Sequence, residues 1–417
     1  MFYKNKLSKY IVNKDAKTLM QNFAYLSVLQ VASFVFPLIT LPYLSQVVGL
    51  EGFGRIGFAS AIIVWIQTIT DWGFNYTGTR EVSKNRDDRR VLSEIFSNVF
   101  WGRSAIMLIS SLILYVLIWL VPEFKENQAV IWATFLMIPG HIMFSEYFFQ
   151  GLEKMKYITI LNLIIKLIFT ICVFVFVKDK EDYILQPLFI SLGFFFAGLI
   201  ALYYILIKWK IKLLFPSYHQ IWITIKNSTD VFINNIMPNL YNSLSTVLLG
   251  FYSSQFSVGI YTSGKKFIFI ANSLLSIITR VFFPYLVRNN DKHAIYRTFS
   301  LGTSFLAAIL LFVAAPLIVD LFYTNEFRDA VSIIRITAFS IFFITLNNVY
   351  GINYLLVHNY DKLLRNIMIV SSLIGFAISF PLICYYDYIG ASVTFLISSV
   401  LIGVLPMYYS YKLKIIS

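Results

Sequence analysis

The chain has 417 residues and a formal net charge of +13; 58% of its residues are hydrophobic, 18% are aromatic and 13% are charged. This composition is too apolar for a soluble globular protein and indicates an integral membrane protein. The positive charge does not indicate nucleic-acid binding, because no basic stripe interleaved with aromatic residues lies outside the apolar segments. Anionic membrane lipid is the partner that such basic loops favour.

Long apolar runs follow one another along the chain, separated by short polar segments. Each run has about 20 residues, the length that an α-helix needs to cross the hydrocarbon layer. We therefore predict an all-α integral membrane fold with twelve transmembrane helices. The predicted spans are 23–43, 53–74, 99–121, 129–149, 158–178, 184–207, 230–251, 258–283, 298–320, 330–352, 364–385 and 389–411.

A weak internal repeat divides the chain into two sets of six helices. At one offset Asn22 aligns with Asn227 and Gln30 with Asn235. Sets of six would be parallel repeats related by a pseudo-two-fold axis along the membrane normal, with the substrate path between them. The predicted parts are a cytoplasmic N-terminus, an N-terminal six-helix lobe, a cytoplasmic interfacial linker, a C-terminal six-helix lobe and a cytoplasmic tail, at 1–22, 23–207, 208–229, 230–411 and 412–417.

The orientation follows from the charges of the loops. Lysine and arginine lie mainly in the N-terminus, in the even-numbered loops and in the C-terminus. Loops rich in these residues stay in the cytoplasm. Both termini are therefore predicted to be cytoplasmic, which agrees with an even number of spans.

Motifs for enzymatic chemistry are not found in the sequence. Residues 52–57 spell G-x-G-x-x-G, but they lie at the tip of a predicted helical hairpin, where close helix packing explains them better than a nucleotide site. Cys172 and Cys384 lie within spans and the histidines are scattered, which gives neither a disulfide framework nor a metal site. We expect no catalytic residue, metal or cofactor.

Cations within the predicted spans are the strongest indication of a functional site. Placing one charge at the bilayer centre costs about 2.5–3.5 kcal/mol, so most of these cations should face a polar interior. Those near helix ends, Arg55, Arg103 and Arg280, can also reach the lipid headgroups. We take Arg55 and Arg280 as further lumen candidates. The deeper cations, which we predict to line a substrate-binding lumen, are Lys166, Lys265, Lys266 and Arg335.

Acidic and neutral polar residues accompany these cations. Asp71 and Glu146 lie near the inner ends of helices 2 and 4, where they are either salt-bridge partners or protonatable ion-coupling sites; the sequence leaves both interpretations open. Polar stripes on helices 1 and 7 predict either lumen contacts or interhelical hydrogen bonds. Their members proposed for substrate binding are Gln30, Asn235, Asn239 and Asn242.

Six strings in the chain are more specific than its hydropathy pattern. They are FPLITLPYL at 36–44, VGLEGFG at 48–54, DWGFN at 71–75, TRE at 79–81, FFQGLEKM at 148–155 and GIYTSGKK at 259–266. These strings resemble those of one known family, the O-antigen and polysaccharide flippases of the multidrug/oligosaccharidyl-lipid/polysaccharide exporter superfamily. The resemblance covers most of the N-terminal half and the start of helix 8.

The resemblance implies twelve helices in two lobes of a protein of the bacterial inner membrane. It implies transport of an undecaprenyl-diphosphate-linked oligosaccharide from the inner to the outer leaflet, with a glycan polymerase and a chain-length regulator as candidate partners. The family often has a glutamate before the lysine matched by Lys266; this chain has Lys265 there. A carboxylate role at that position cannot be carried over.

Two alternatives to a flippase stay open at this point. A drug/cation antiporter of the same superfamily would need an acidic site, and the excess of cations argues against it. A scaffold of a glycan assembly complex would not transport at all. An enzyme would need a larger outer loop or clustered carboxylates, and the predicted outer loops are short.

Overall fold

The computed structural model of the protein describes residues 2–288, 293–358 and 360–413. This part is 89% helical and contains no strand. The α-helices are α1 Phe2–Val47, α2 Gly49–Asp71, α3 Phe74–Lys84, α4 Arg89–Leu120, α5 Pro122–Glu126, α6 Gln128–Phe135, α7 Met137–Phe144, α8 Glu146–Gly151, α9 Met155–Phe176, α10 Leu185–Leu202, α11 Tyr218–Ile236, α12 Asn239–Asn242, α13 Leu244–Tyr252, α14 Gln255–Arg288, α15 His293–Phe322, α16 Ala330–Ala338, α17 Ser340–Asn347 and α18 Asp361–Lys412.

Nine helical segments of the described residues are long and apolar enough to cross a membrane. They are Ser27–Val47, Gly49–Lys84, Arg89–Leu120, Gln128–Gly151, Met155–Phe176, Lys180–Lys208, His293–Phe322, Ala330–Leu356 and Asp361–Lys412. The protein is therefore an all-helical, multi-pass membrane protein. The last segment contains two predicted spans, which meet at Asp387, a residue with non-helical φ 52° and ψ −134°.

Two predicted spans, 230–251 and 258–283, are helical but are not among these nine segments. The first is broken into α11, α12 and α13, with interruptions before Asn239 and at Ser243. Pro238 lacks the N–H that would continue the helical hydrogen bonds, and polar asparagines surround it. The second lies within the continuous helix α14, Gln255–Arg288. The exact layout of twelve helices stays a prediction.

The chain folds into two compact units. Unit 1 contains Met1–Thr40, Ile66–Lys178 and Ile184–Phe232; unit 2 contains Leu41–Trp65, Asp179–Tyr183 and Ile233–Ser417. Each unit has an aromatic core: Phe74, Phe96, Phe144 and Tyr147 are fully buried in unit 1, and Tyr296 packs with Leu346, Val349 and Tyr350 in unit 2. The predicted lobes, 23–207 and 230–411, stay a prediction.

A tight turn separates α2 from α3 in unit 1. Gly73 has φ +77°, in the left-handed region that favours glycine, and Trp72 before it has φ 40°. A Cβ on Gly73 would lie 2.9 Å from Cβ of Val231 and 3.0 Å from the backbone nitrogen of Phe232. The turn therefore requires glycine for two reasons, and it places Asp71 at the end of α2.

Candidate functional site

An ion pair joins two helices in the interior of unit 1. Nη2 of Arg103 on α4 donates to Oδ1 of Asp71 at 2.7 Å and to Oδ1 of Asn75 at 2.8 Å. Asn75 on α3 in turn donates to Oδ2 of Asp71 at 3.2 Å. The side chain of Arg103 is only 2% exposed. The salt-bridge interpretation of Asp71 therefore matches the geometry, whereas a role in ion coupling stays a prediction.

Arg103 is buried against aromatic residues and does not reach out to headgroups, as its place near a helix end suggested. Its guanidinium carbon lies 5.5 Å from the ring centroid of Tyr147, within the range of a cation–π interaction. Its Nε has no hydrogen-bond partner among the residues that the structure describes. Burial of such a charge is tolerated only with a paired counter-charge, which Asp71 provides.

Glu146 on α8 and Lys166 on α9 extend this group of charges. Oε1 of Glu146 accepts a long hydrogen bond, 3.4 Å, from Nδ2 of Asn162. Glu146 also interacts electrostatically with Asp71, Arg103 and Lys166. We call Asp71, Arg103, Glu146 and Lys166 the unit 1 charge cluster. Its two acids and two cations balance, so it does not form a purely cationic surface.

His141 is a member of this neighbourhood that sequence reasoning missed. It interacts electrostatically with Asp71 and Arg103, and its ring stacks on Phe194 with a centroid distance of 4.2 Å. Isolated in the sequence, it looked like a scattered polar residue. Its spacing of five residues from Glu146 was the one available signal, and it is weak because both lie on separate short helices, α7 and α8.

The two adjacent lysines of α14 in unit 2 have different surroundings. Nζ of Lys265 donates to the main-chain oxygen of Asn242 at 2.9 Å and to the hydroxyl of Tyr261 at 3.2 Å. It also lies 4.6 Å from the ring centroid of Phe395. Lys265 therefore connects α12, α14 and α18, and its ammonium group is occupied by the protein itself.

The ammonium group of Lys266 has fewer contacts than that of Lys265. Its Nζ lies 5.9 Å from the ring centroid of Phe53, a distant cation–π contact. Within the described ranges it has no hydrogen-bond or ion-pair partner, although its side chain is half-buried. A half-buried ammonium group without a partner is costly, and an anionic ligand would reduce that cost.

The other predicted site residues are more dispersed. Arg335 is exposed; its Nε donates to the main-chain oxygen of Phe312 at 3.4 Å and its guanidinium lies over that ring at 5.4 Å. Arg55 forms an ion pair with Glu51 at 3.0 Å. The side chain of Arg280 lies outside the described residues.

The predicted neutral residues lie in both units. Gln30 is half-buried on α1 in unit 1. In unit 2, Asn235 is exposed, whereas Asn239 and Asn242 are half-buried on α12. Asn242 contacts another predicted site residue, Lys265, through its main-chain carbonyl. The substrate-binding role of these side chains stays a prediction.

A family model described as polysaccharide biosynthesis protein matches residues 19–290, more than half of the chain. A candidate O-antigen transporter of Escherichia coli (strain K12) is 29% identical over 97% of this chain and 100% of its own length. A second, from Shigella dysenteriae, is 23% identical over 92% of this chain and 97% of its own. The resemblance predicted from the sequence strings is confirmed.

The fold is similar to those of two solved transporter structures. The lipid II flippase MurJ in an inward closed conformation matches with a TM-score of 0.71 and 14% identity, covering 94% of this chain and 87% of its own. An inward-facing multidrug resistance MATE family transporter of the MOP superfamily matches with a TM-score of 0.68 and 11% identity, covering 94% and 97%. At these identities the similarity shows the fold alone.

Proposed function

This chain belongs to the polysaccharide biosynthesis protein family, and from that premise we propose that it is a flippase for a lipid-linked glycan. Its substrate is an undecaprenyl-diphosphate-linked oligosaccharide, which it moves from the inner to the outer leaflet of the bacterial inner membrane. Transport occurs by alternating access through a cationic lumen. Twelve helices in two lobes, with both termini in the cytoplasm, form the transporter.

The names of the relatives and the fold support this proposal. Two relatives that match nearly the whole chain are named as candidate O-antigen transporters, and a lipid II flippase shares the fold. All three names describe transport, which favours transport over catalysis. A glycan polymerase and a chain-length regulator are the protein partners that we propose.

The observation that carries the proposal is the ammonium group of Lys266, which has no hydrogen-bond or ion-pair partner among the residues that the structure describes. A diphosphate must lose part of its hydration to enter the membrane, and a cation in the lumen offsets part of that cost. Lysine binds phosphate as a point charge with three donors. Because Lys265 already donates to Asn242 and Tyr261, Lys266 is the one of the pair that is available to the substrate.

The remaining lumen candidates have weaker support, since their partners are within the protein or are undefined. Asp71 and Glu146 are proposed as ion-coupling residues. We keep the others as contacts for the saccharide or diphosphate at other stages of the cycle. These others are Lys166, Arg335, Arg55, Arg280, Asn235, Asn239, Asn242 and Gln30.

Drug/cation antiport is the second candidate, because a multidrug transporter shares the fold. A cationic drug would be repelled by Lys266, whose charge has no counter-ion among the described residues. The flippase is therefore favoured. A scaffold without transport activity remains the third candidate, and direct measurement of flipping separates it from the other two.

The experiment is a flipping assay with the purified protein in proteoliposomes. Lipid-linked oligosaccharide is placed in one leaflet, and the fraction that an added lectin can bind in the other leaflet is followed over time. We expect Lys266→Ala to reduce the rate by about tenfold, the loss of one charge-assisted hydrogen bond. Lys266→Arg should retain most activity, and Lys125→Ala, which changes an exposed lysine of α5, should behave as wild type. Wild-type vesicles no faster than empty ones would refute the flippase.

A further inference from the structure

Unit 2 contains a cavity of about 560 Å³ whose lining includes Arg55 but neither Lys265 nor Lys266. Four chain segments line it, and they are far apart in sequence: 48–55, 180–183, Phe256 and Glu326. Each belongs to an odd-numbered loop or to the helix end next to it. Under the orientation that the loop charges predict, the cavity therefore opens to the outer face of the membrane.

Charged side chains with free donors and acceptors converge on this cavity. Lys180, Glu181 and Glu326 are exposed, and none has a hydrogen-bond or ion-pair partner in the part of the chain that the structure describes. Glu51 accepts from Arg55 at 3.0 Å on the same wall. The lining therefore presents three carboxylates and two cations around one cavity.

Two glycines in the cavity wall, Gly49 and Gly52, allow side chains of other segments to lie close to the backbone. Gly49 has φ +68°, and a Cβ there would lie 3.6 Å from Oε2 of Glu326. A Cβ on Gly52 would lie 3.1 Å from Cβ of Tyr183, so this glycine lets the tyrosine pack against the start of α2. The Tyr183 ring lies under the guanidinium of Arg55 at 6.0 Å. Exposed Phe256 adds a second aromatic ring to the lining.

The chemistry of this lining excludes two kinds of ligand. No three acidic, histidine or cysteine side chains of the described residues lie close enough to hold a metal ion. An apolar drug would leave the free charges of Lys180, Glu181 and Glu326 unpaired against it. Carboxylates that accept and cations that donate are instead suited to the many hydroxyl groups of a sugar. Aromatic rings provide apolar surface for the C–H face of the ring.

We propose that this outer cavity is a saccharide-binding site that receives a sugar residue of the transported glycan on the outer side of the membrane. This inference rests on the proposed function, which supplies the glycan. The volume lies within the range of about 300–1,000 Å³ that is usual for small-molecule sites. The excess of one carboxylate makes the site select neutral or amino sugars over uronic acids, whose carboxylate would be repelled.

Binding is measured without transport, on the full-length protein in nanodiscs, by saturation-transfer difference NMR. The probes are N-acetylglucosamine, glucosamine, glucose and glucuronic acid. We expect signal from the first three and about tenfold less from glucuronic acid. Glu181→Gln combined with Glu326→Gln should reduce the glucosamine signal by about tenfold, as expected for lost charge-assisted hydrogen bonds. Lys125→Ala should leave all signals unchanged.

Two further measurements separate the possible failures. A thermal melt of the double variant confirms that it is folded, and Tyr183→Ala provides a second test through the aromatic wall. Equal sugar signals in wild type and in both variants would overturn the saccharide site, while lipid-linked oligosaccharide could still flip. Sugar signals that depend on the site, together with no flipping by wild type, would support the site and refute the flippase.

Discussion

Arg103 and Asp71 form an ion pair of 2.7 Å between α4 and α2, and the arginine side chain is almost completely buried. They are 32 residues apart in sequence. Asn75 bonds both partners, so the three side chains close a small polar ring within unit 1. Because the pair is buried, removal of either side chain leaves the charge of the other without its counter-charge.

We predict that Asp71→Asn destabilises the protein, because it leaves the guanidinium of Arg103 buried without a counter-charge. The expected loss is about 3–5 kcal/mol in the free energy of unfolding. Combining it with Arg103→Leu should recover part of this loss. Thermal unfolding in detergent, run as a double-mutant cycle, measures the coupling between Asp71 and Arg103.

Glu81→Gln, which removes the exposed pair with Arg80, is the control and should cost less than about 1 kcal/mol. Additive effects of the two buried substitutions would contradict the prediction.

Substitutions of the adjacent lysines, Lys265 and Lys266, should have different effects on stability and on transport. Lys265→Ala removes two hydrogen bonds made by an ammonium group and should cost about 1.5–3 kcal/mol of stability for each. Lys266→Ala breaks no hydrogen bond to a described residue and removes a half-buried ammonium group, so the melting temperature should be unchanged or higher than that of wild type. The melt of each variant is compared with its flipping rate. The same loss of stability in both variants would show that their surroundings do not differ.

Glu146→Gln should reduce the response of transport to an ion gradient. Among the described residues its side chain has one hydrogen bond, the long 3.4 Å contact from Asn162, which leaves the carboxylate able to change its charge at low structural cost. We expect gradient-driven flipping to fall by about a hundredfold or more, the usual effect of removing a proton-transfer group, while exchange without a gradient continues. The rate is measured in proteoliposomes with imposed proton or sodium gradients. An unchanged response to both gradients would exclude Glu146 as a coupling residue.

Gly73→Ala should destabilise unit 1 by about 1–3 kcal/mol, because alanine disfavours a φ of +77° and its Cβ would approach Val231 too closely. Gly302→Ala is the matched control: it lies within α15, and a Cβ there meets nothing within 4 Å. That control should be neutral or stabilising by up to about 1 kcal/mol. The melting temperatures of the two variants are compared to test whether the turn requires glycine. A Gly73→Ala protein as stable as the control would show that the turn does not require glycine.

The sequence by itself determined the class of protein. Hydrophobic runs, basic loops and family strings are local features that each segment carries alone, so they predict membrane insertion, helical structure and the flippase family without any knowledge of packing. The same features predicted 230–251 as one span, although the structure breaks it near Pro238. Hydropathy averages over a window and does not register a single missing backbone donor.

Only the tertiary structure decided which charges are satisfied. Lys265 and Lys266 have equal depth in the sequence, but one is held by Asn242 and Tyr261 and the other is not. Arg103 and Arg335 were both cations within spans, yet Arg103 is buried with Asp71 and Arg335 is exposed. Partners of this kind depend on the rotation of each helix about its own axis and on which neighbour it packs against. Neither quantity is encoded in the order of residues along one segment.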